Sequence, residues 1–194
     1  EEKRLLKEQF ISLYDDKIRY GYHRLIEEMC KGENYAIKSI GRLEDVDNIT
    51  PENLYDEYLD IINNDTVDLL VIGDIDENRI KSLIEKYFAL PDREQIKDVI
   101  DTETRTINEV KEVIEVKEVS QAKLNIGFRT NTTGIDKDYY ALMLLNAILG
   151  VYPNSLLFKN VREKESLCYY IASNIEKAKA LMIIYAGINK NDYK

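Results

Sequence analysis

Apolar residues recur at three- and four-residue intervals over positions 2–31, first Leu5, Leu6, Phe10 and Leu13, then Ile18, Tyr22, Leu25, Ile26 and Met29. That period predicts two amphipathic helices, and the Asp15-Asp16 pair between the two sets predicts the break. Gly32 follows the last periodic residue, where a helix commonly needs a left-handed stop. Thr50-Pro51 predicts the next helix start. The hydroxyl can accept from a free amide of the first turn, and Pro51 loses no hydrogen bond at the first helical position. Leu54, Tyr55, Tyr58, Ile61 and Ile62 form its apolar stripe.

Thr66 to Ile72 is a short, nearly continuous apolar run, which predicts a buried strand ended by Gly73-Asp74. Asp76 is placed to cap a helix carrying Ile80, Leu83, Ile84, Tyr87 and Phe88. From Pro91 to Thr106 the pattern dissolves into charged and hydroxyl residues, which predicts a linker. Beyond it, Val110 to Val119 predicts a charged, Val-rich edge strand. Ala122, Leu124, Ile126 and Phe128 alternate with Gln121, Lys123, Asn125 and Gly127, which predicts a second strand paired antiparallel with the first. A helix with Tyr140, Leu144, Leu145 and Ile148 follows, then a helix around Leu156 to Val161, then strands over 168–175 and 180–188. Helices segregated against a mostly antiparallel sheet make the predicted fold α+β.

The composition is globular, with 44% hydrophobic and 32% charged residues, three Pro and eight Gly. The net charge of −9, with no gathering of Lys and Arg among aromatics, argues against a nucleic-acid partner. The longest apolar runs, Ala141 to Leu149 and Ala180 to Ile184, fall far short of a membrane span. No apolar leader is present, and the two cysteines, Cys30 and Cys168, lack any C-x-x-C partner. A reducing cytoplasm fits these features best. Because the chain opens inside a helical pattern and closes just after a strand, it is expected to be a fragment of a longer protein.

Chemistry must be built from few groups. The one histidine, His23, sits on a predicted helix, where it is ordinarily a packing or surface residue, and neither H-x-x-E-H nor a phosphate-binding loop is present. The informative stretch runs from Ile148-Leu149-Gly150 through Ser155-Leu156-Leu157-Phe158 to Arg162-Glu163-Lys164-Glu165-Ser166-Leu167-Cys168-Tyr169. Here the chain resembles the insulinase, pitrilysin and mitochondrial processing peptidase family of zinc peptidases. In that family a Leu-Gly turn, a Ser-x-Leu-Phe helix and an Arg-Glu-Lys-x-x-Leu-x-Tyr segment occur in this order. Ile49-Thr50-Pro51-Glu52-Asn53-Leu54 and Leu70-Val71-Ile72-Gly73-Asp74 extend the resemblance upstream. Tyr14 to Tyr20 and Leu25 to Cys30 look like the bacterial, zinc-motif-lacking YfmF-type members, which occur beside a zinc-bearing partner.

The resemblance implies a LuxS/metallohydrolase-like, processing-peptidase-like architecture of two similar domains forming a chamber. It implies zinc in one half and an Arg/Tyr pair, here Arg162 and Tyr169, in the other. Zinc lowers the pKa of its bound water, so hydroxide attacks the peptide carbonyl and negative charge develops on its oxygen. A guanidinium and a phenol can donate to that oxygen or hold the substrate backbone. Arg162 near a helix end, a turn over Glu163 to Ser166, and Tyr169 at a strand start can point both tips to one side. Glu2 is the closest match to the family's glutamate ligand, but a lone carboxylate binds zinc poorly, and Glu2 is expected to be a surface residue. Val151-Tyr152-Pro153 stands where relatives commonly carry glycines.

The expected division is residues 1–90 as the later half of one domain, 91–106 as linker and 107–194 as the earlier half of a second, similar domain. Their uncovered surfaces are expected to close within the chain or in a homodimer, with the dimer favoured. The expected function is the metal-free half of a zinc peptidase acting on a peptide or small protein beside a zinc-bearing paralogous subunit. The alternatives are a non-catalytic peptide-binding or scaffold protein that keeps the peptidase fold, and a zinc-competent enzyme half.

Overall fold

The computed structural model of the protein describes residues 1–88, 90–91 and 105–193. Most of the expected linker, residues 92–104, lies outside the described residues. The chain forms two compact units, residues 1–43 with 101–194, and residues 44–100.

In the first unit the predicted break at Asp16 separates helix α1, Glu2–Asp15, from helix α2, Lys17–Met29. Asp16 has extended backbone angles, and its carboxylate accepts from the Ile18 and Arg19 amides, each at 3.1 Å. One residue thus stops the first helix and caps the second. Gly32 follows at φ +88°, the left-handed conformation expected after the helix.

Helix α2 lies on a three-stranded antiparallel sheet of β1 (Ala122–Arg129), β2 (Cys168–Glu176) and β3 (Leu181–Ile188), in the order β1-β3-β2. The alternation at 122–128 is seen as β1, but its ladder partner is β3, with Asn125 opposite Tyr185 and Gly127 opposite Ile183. The predicted strand Val110–Val119 does not form. That segment instead sends its charges to α2. Glu115 accepts from Arg24 at 2.6 Å and Tyr20 at 2.7 Å, and Lys111 reaches Glu28 at 2.5 Å. Val110 and Val116 are left 97% and 95% exposed. A Val-rich pattern predicted a ladder, but its polar positions found partners on a helix.

Two cores share the sheet. On one face Leu181 and Ile183 meet Ile26 and Cys30 of α2, and on the other Cys168, Ala186 and Ile188 meet Ala122, Leu124, Val161 and Ile171. Each such aliphatic side chain contributes about 1.5–3 kcal/mol when removed from water. Gly127 leaves room for the Met29 thioether of α2, which a Cβ there would displace. Below the helix end, Arg129 and Glu33 form an ion pair with side chains 7% and 5% exposed, and Arg129 also donates to the Met29 carbonyl at 2.9 Å.

The second unit contains helices α3 (Pro51–Asn64) and α4 (Glu77–Tyr87). Both caps follow the sequence reading. Thr50 Oγ1 accepts from the Asn53 amide at 3.2 Å while Asn53 returns a bond to the Thr50 amide at 2.8 Å, and Asp76 accepts from the Arg79 amide at 3.0 Å. The expected buried strand over 66–72 does not form. No ladder partner exists for it among the described residues, and Leu70 and Ile72 are 82% and 86% exposed. A strand is made by its neighbour, and an apolar run alone cannot make one. The described architecture is α+β, as the sequence predicts. The last predicted helices continue in wider form, since α5 (Tyr139–Asn146) leads into a π-helical turn, Ala147–Val151, and a second π-helix covers Phe158–Lys164.

The buried pair gives a stability prediction. Glu33→Gln should destabilise the first unit by about 3–5 kcal/mol, because Arg129 keeps its charge without a partner. The double variant Glu33→Gln, Arg129→Met should lose less than the two single changes summed, as read by urea denaturation. A pH prediction follows from His23, half-buried on α2 with its ring edge-on to Tyr22 at 5.9 Å. Burial pushes its pKa down, Lys38 and Arg19 push the same way, and Glu27 opposes them. The unfolded chain therefore takes up the proton more readily than the fold. Stability is full above the ordinary histidine pKa of about 6.5, falls as pH drops through it, and levels below the folded value. His23→Gln should flatten that slope in urea melts carried out as pH falls below about 6.5.

Candidate functional site

The β2 strand enters the sheet irregularly. Cys168 pairs with Ile188, and Tyr170 pairs with the next residue along, Gly187, so Tyr169 is an extra residue without a ladder partner. A bulge of this kind re-aims a side chain out of the pleat. Cys168 sits in the core under the π-helices, whereas the Tyr170 ring lies on the α2 face beside Gly187 and Tyr185. Tyr169 between them is 64% exposed.

The segment leading into the bulge is fixed by backbone alone. Glu165 donates to the Asn160 carbonyl at 3.1 Å, the five-residue bond that widens this helix, and Leu167 donates to the Val161 carbonyl at 3.1 Å. Between them Ser166 takes φ +54°, a left-handed conformation that a non-glycine residue adopts at some cost. This is a wide form of the closure that usually ends a helix at glycine. Val161 is held in the core, and Arg162, the next residue, is exposed.

Arg162 and Tyr169 therefore flank one short turn, as their sequence positions predict. The Arg162 charge also reaches the start of β2. Burial pushes the Cys168 thiol up, and the nearby guanidinium opposes that push. Among the described residues neither the Arg162 guanidinium nor the Tyr169 hydroxyl has a hydrogen-bond or ion-pair partner. The guanidinium instead lies over the Phe158 ring, 4.5 Å from its centre.

Helix α5, which precedes the helix that carries Arg162, is docked by a buried polar contact that the sequence reading missed. Ser173 Oγ of β2 donates to Asn146 Oδ1 at 2.6 Å, both residues being buried. Gly150 packs on the same point, where a Cβ would come within 2.8 Å of the Ser173 backbone nitrogen. Asn146 inside the apolar run 141–149 was the available signal, because a polar residue there must either face water or find a partner.

Other candidates stay apart from this turn. Glu2 is exposed in the first turn of α1, and His23 packs on Tyr22. Among the described residues no group of three or more His, Cys, Asp or Glu side chains could hold a metal ion, so they do not fit the zinc that the resemblance implies for the family. Cys30 and Cys168 are both buried free thiols. No helix among the described residues is long and apolar enough to cross a membrane.

Comparison with known proteins identifies the family. The family model described as the peptidase M16 inactive domain matches residues 48–194. The "probable inactive metalloprotease YmfF" of Bacillus subtilis (strain 168) is 44% identical over 194 residues, covering 100% of this chain and 45% of that protein. The "uncharacterized zinc protease YmxG" of the same strain is 27% identical, covering 98% of this chain and 46% of that protein. The chain thus spans less than half the length of these relatives. A crystal structure of a conserved protein from Enterococcus faecalis V583 superposes with a TM-score of 0.89 at 32% identity, covering 96% of this chain and 44% of that one. The peptidase M16 inactive domain from Pseudomonas fluorescens gives a TM-score of 0.66 at 19% identity, covering 96% of this chain and 45% of that one, a likeness of fold.

A metal prediction follows. After dialysis the chain should hold no stoichiometric zinc by atomic absorption, and one tightly held zinc per chain would contradict it.

Proposed function

Because the chain belongs to the peptidase M16 inactive-domain family, we propose that it supplies the metal-free, substrate-gripping part of a zinc peptidase, with Arg162 and Tyr169 donating to a bound peptide. The observation that carries this reading is that both side chains are exposed beside one strained turn with their donors unengaged. The phenol hydroxyl and the guanidinium are suited to an oxygen on which negative charge grows, and neither can attack a peptide bond itself. Their part is to hold the peptide backbone and stabilise charge. Zinc belongs to a partner half or a zinc-bearing paralogous subunit in this reading, supported by a sequence with one histidine. The substrate is a peptide or small protein, and the setting is a reducing cytoplasm, consistent with two buried free thiols. Residues 1–90 and 107–194 belong in the parent protein to successive, similar domains.

A second reading is a non-catalytic peptide-binding or scaffold protein. It draws support from the inactive description of the relative at 44% identity. Reconstitution separates the two. The full-length protein mixed with its zinc-bearing relative should cleave peptides, and Tyr169→Phe and Arg162→Ala should each lower turnover about 10²–10³-fold, as loss of one oxyanion donor does. Peptide binding without cleavage by the mixture would favour the scaffold, and unchanged kinetics in both folded variants would make the two residues structural.

A further inference from the structure

An exposed arginine ordinarily settles against a carboxylate, and Arg162 has Glu163 and Glu165 close in sequence. It pairs with neither. Glu165 lies 3.4 Å from Lys164 instead, and the Arg162 guanidinium carbon lies over the Phe158 ring, 4.5 Å from its centre and four residues on along the same π-helix. The two contacts differ in what they leave available. A carboxylate would occupy one N–H edge and cancel the charge, whereas an aromatic face takes up only the flat side of the group and leaves all five donors at its rim open.

The helix geometry makes the stack possible. Phe158 and Arg162 are four positions apart on one helix, a spacing that puts two side chains side by side on the same face. The adjacent Val161 is packed into the core, which fixes the helix rotation that brings Arg162 over the ring. The last-turn position also suits a cation, because the carbonyl end of the helix carries partial negative charge. Phe158 is itself only half-buried, which leaves part of its ring available to the guanidinium.

We propose that Phe158 is a positioning residue: its ring holds the Arg162 guanidinium by the face, charged and with its N–H rim open to an oxygen of a bound peptide. This rests on the reading of Arg162 as a substrate-binding group. An aliphatic side chain of similar bulk would fill the space without the attraction of the ring's negative face, which at an exposed site is modest, so the effect is one of orientation.

The test uses the full-length protein with ¹⁵N-labelled arginine, in which the Arg162 Nε–H resonance is assigned by its disappearance in Arg162→Lys. Ring-current shielding should move that resonance in Phe158→Leu and retain it in Phe158→Tyr, at unchanged melting temperature. An unmoved resonance in Phe158→Leu overturns the stack. In the mixture with the zinc-bearing relative, assayed on a pool of internally quenched decapeptides, Phe158→Leu should lower kcat/KM about three- to fivefold. Phe158→Tyr should restore it, and Phe158→Leu should add nothing in an Arg162→Ala background. Losses from the two changes that multiply, or full activity in Phe158→Leu where Arg162→Ala is impaired, overturn the positioning role alone. Full activity in Arg162→Ala overturns the substrate-gripping reading and the proposal with it.

Discussion

Strand β3 is the constraint on which the first unit depends. Among the described residues it is the one strand bonded on both edges, to β1 and to β2, and its two faces feed two different cores. Leu181, Met182, Ile183, Ala186 and Ile188 are all buried, so the strand cannot slip by one residue without sending apolar side chains to the wrong layer. Everything that places Arg162 and Tyr169 is referred to this strand. The register of β2 against it sets the bulge, the core at Ala186 and Ile188 receives Val161, and the α2 layer rests on Leu181 and Ile183.

Electrostatic contacts act at two levels around this frame. The charges joining α2 to residues 111–117 are partly exposed, with side chains of Arg24, Glu28 and Glu115 at 30%, 30% and 33%, and each such pair contributes at most about 1 kcal/mol. They guide a segment without fixing the fold. The Arg129–Glu33 pair differs, because it is nearly dry and reaches across 96 residues of sequence. Losing Glu33 there leaves the buried Arg129 charge without its carboxylate, whereas Glu33 also has Arg105 at 3.4 Å.

The helices and their boundaries were largely legible because their signals are local. Asp16, Thr50 with Asn53, and Asp76 each act within three residues, and the structure uses each as a cap. Strand pairing is not local, and it failed where it depended on distant partners. Residues 66–72 have the apolar run of a strand without a neighbour to pair with among the described residues, and residues 110–119 are a Val-rich segment whose charges are drawn to α2. The last two helices were read from their apolar spacing, but their widening was not, because the wider winding alters that spacing only slightly. Arg162 and Tyr169 were singled out by family resemblance alone, whereas Phe158 beneath the guanidinium and the Asn146–Ser173 contact needed three-dimensional proximity to be noticed.

The bulge at Tyr169 has a consequence for what the fold requires of that position. In a regular strand, residues 168 and 170 would share a face, yet here Cys168 enters one core and Tyr170 lies on the opposite side. If Tyr169 were excised, Cys168 and Tyr170 would become neighbours opposite Ile188 and Gly187, and the ladder would run without interruption. Every other residue of β2 would keep its partner and its layer. The sheet is thus complete without this residue, and the insertion of one tyrosine into an otherwise continuous ladder is a feature that packing alone does not demand.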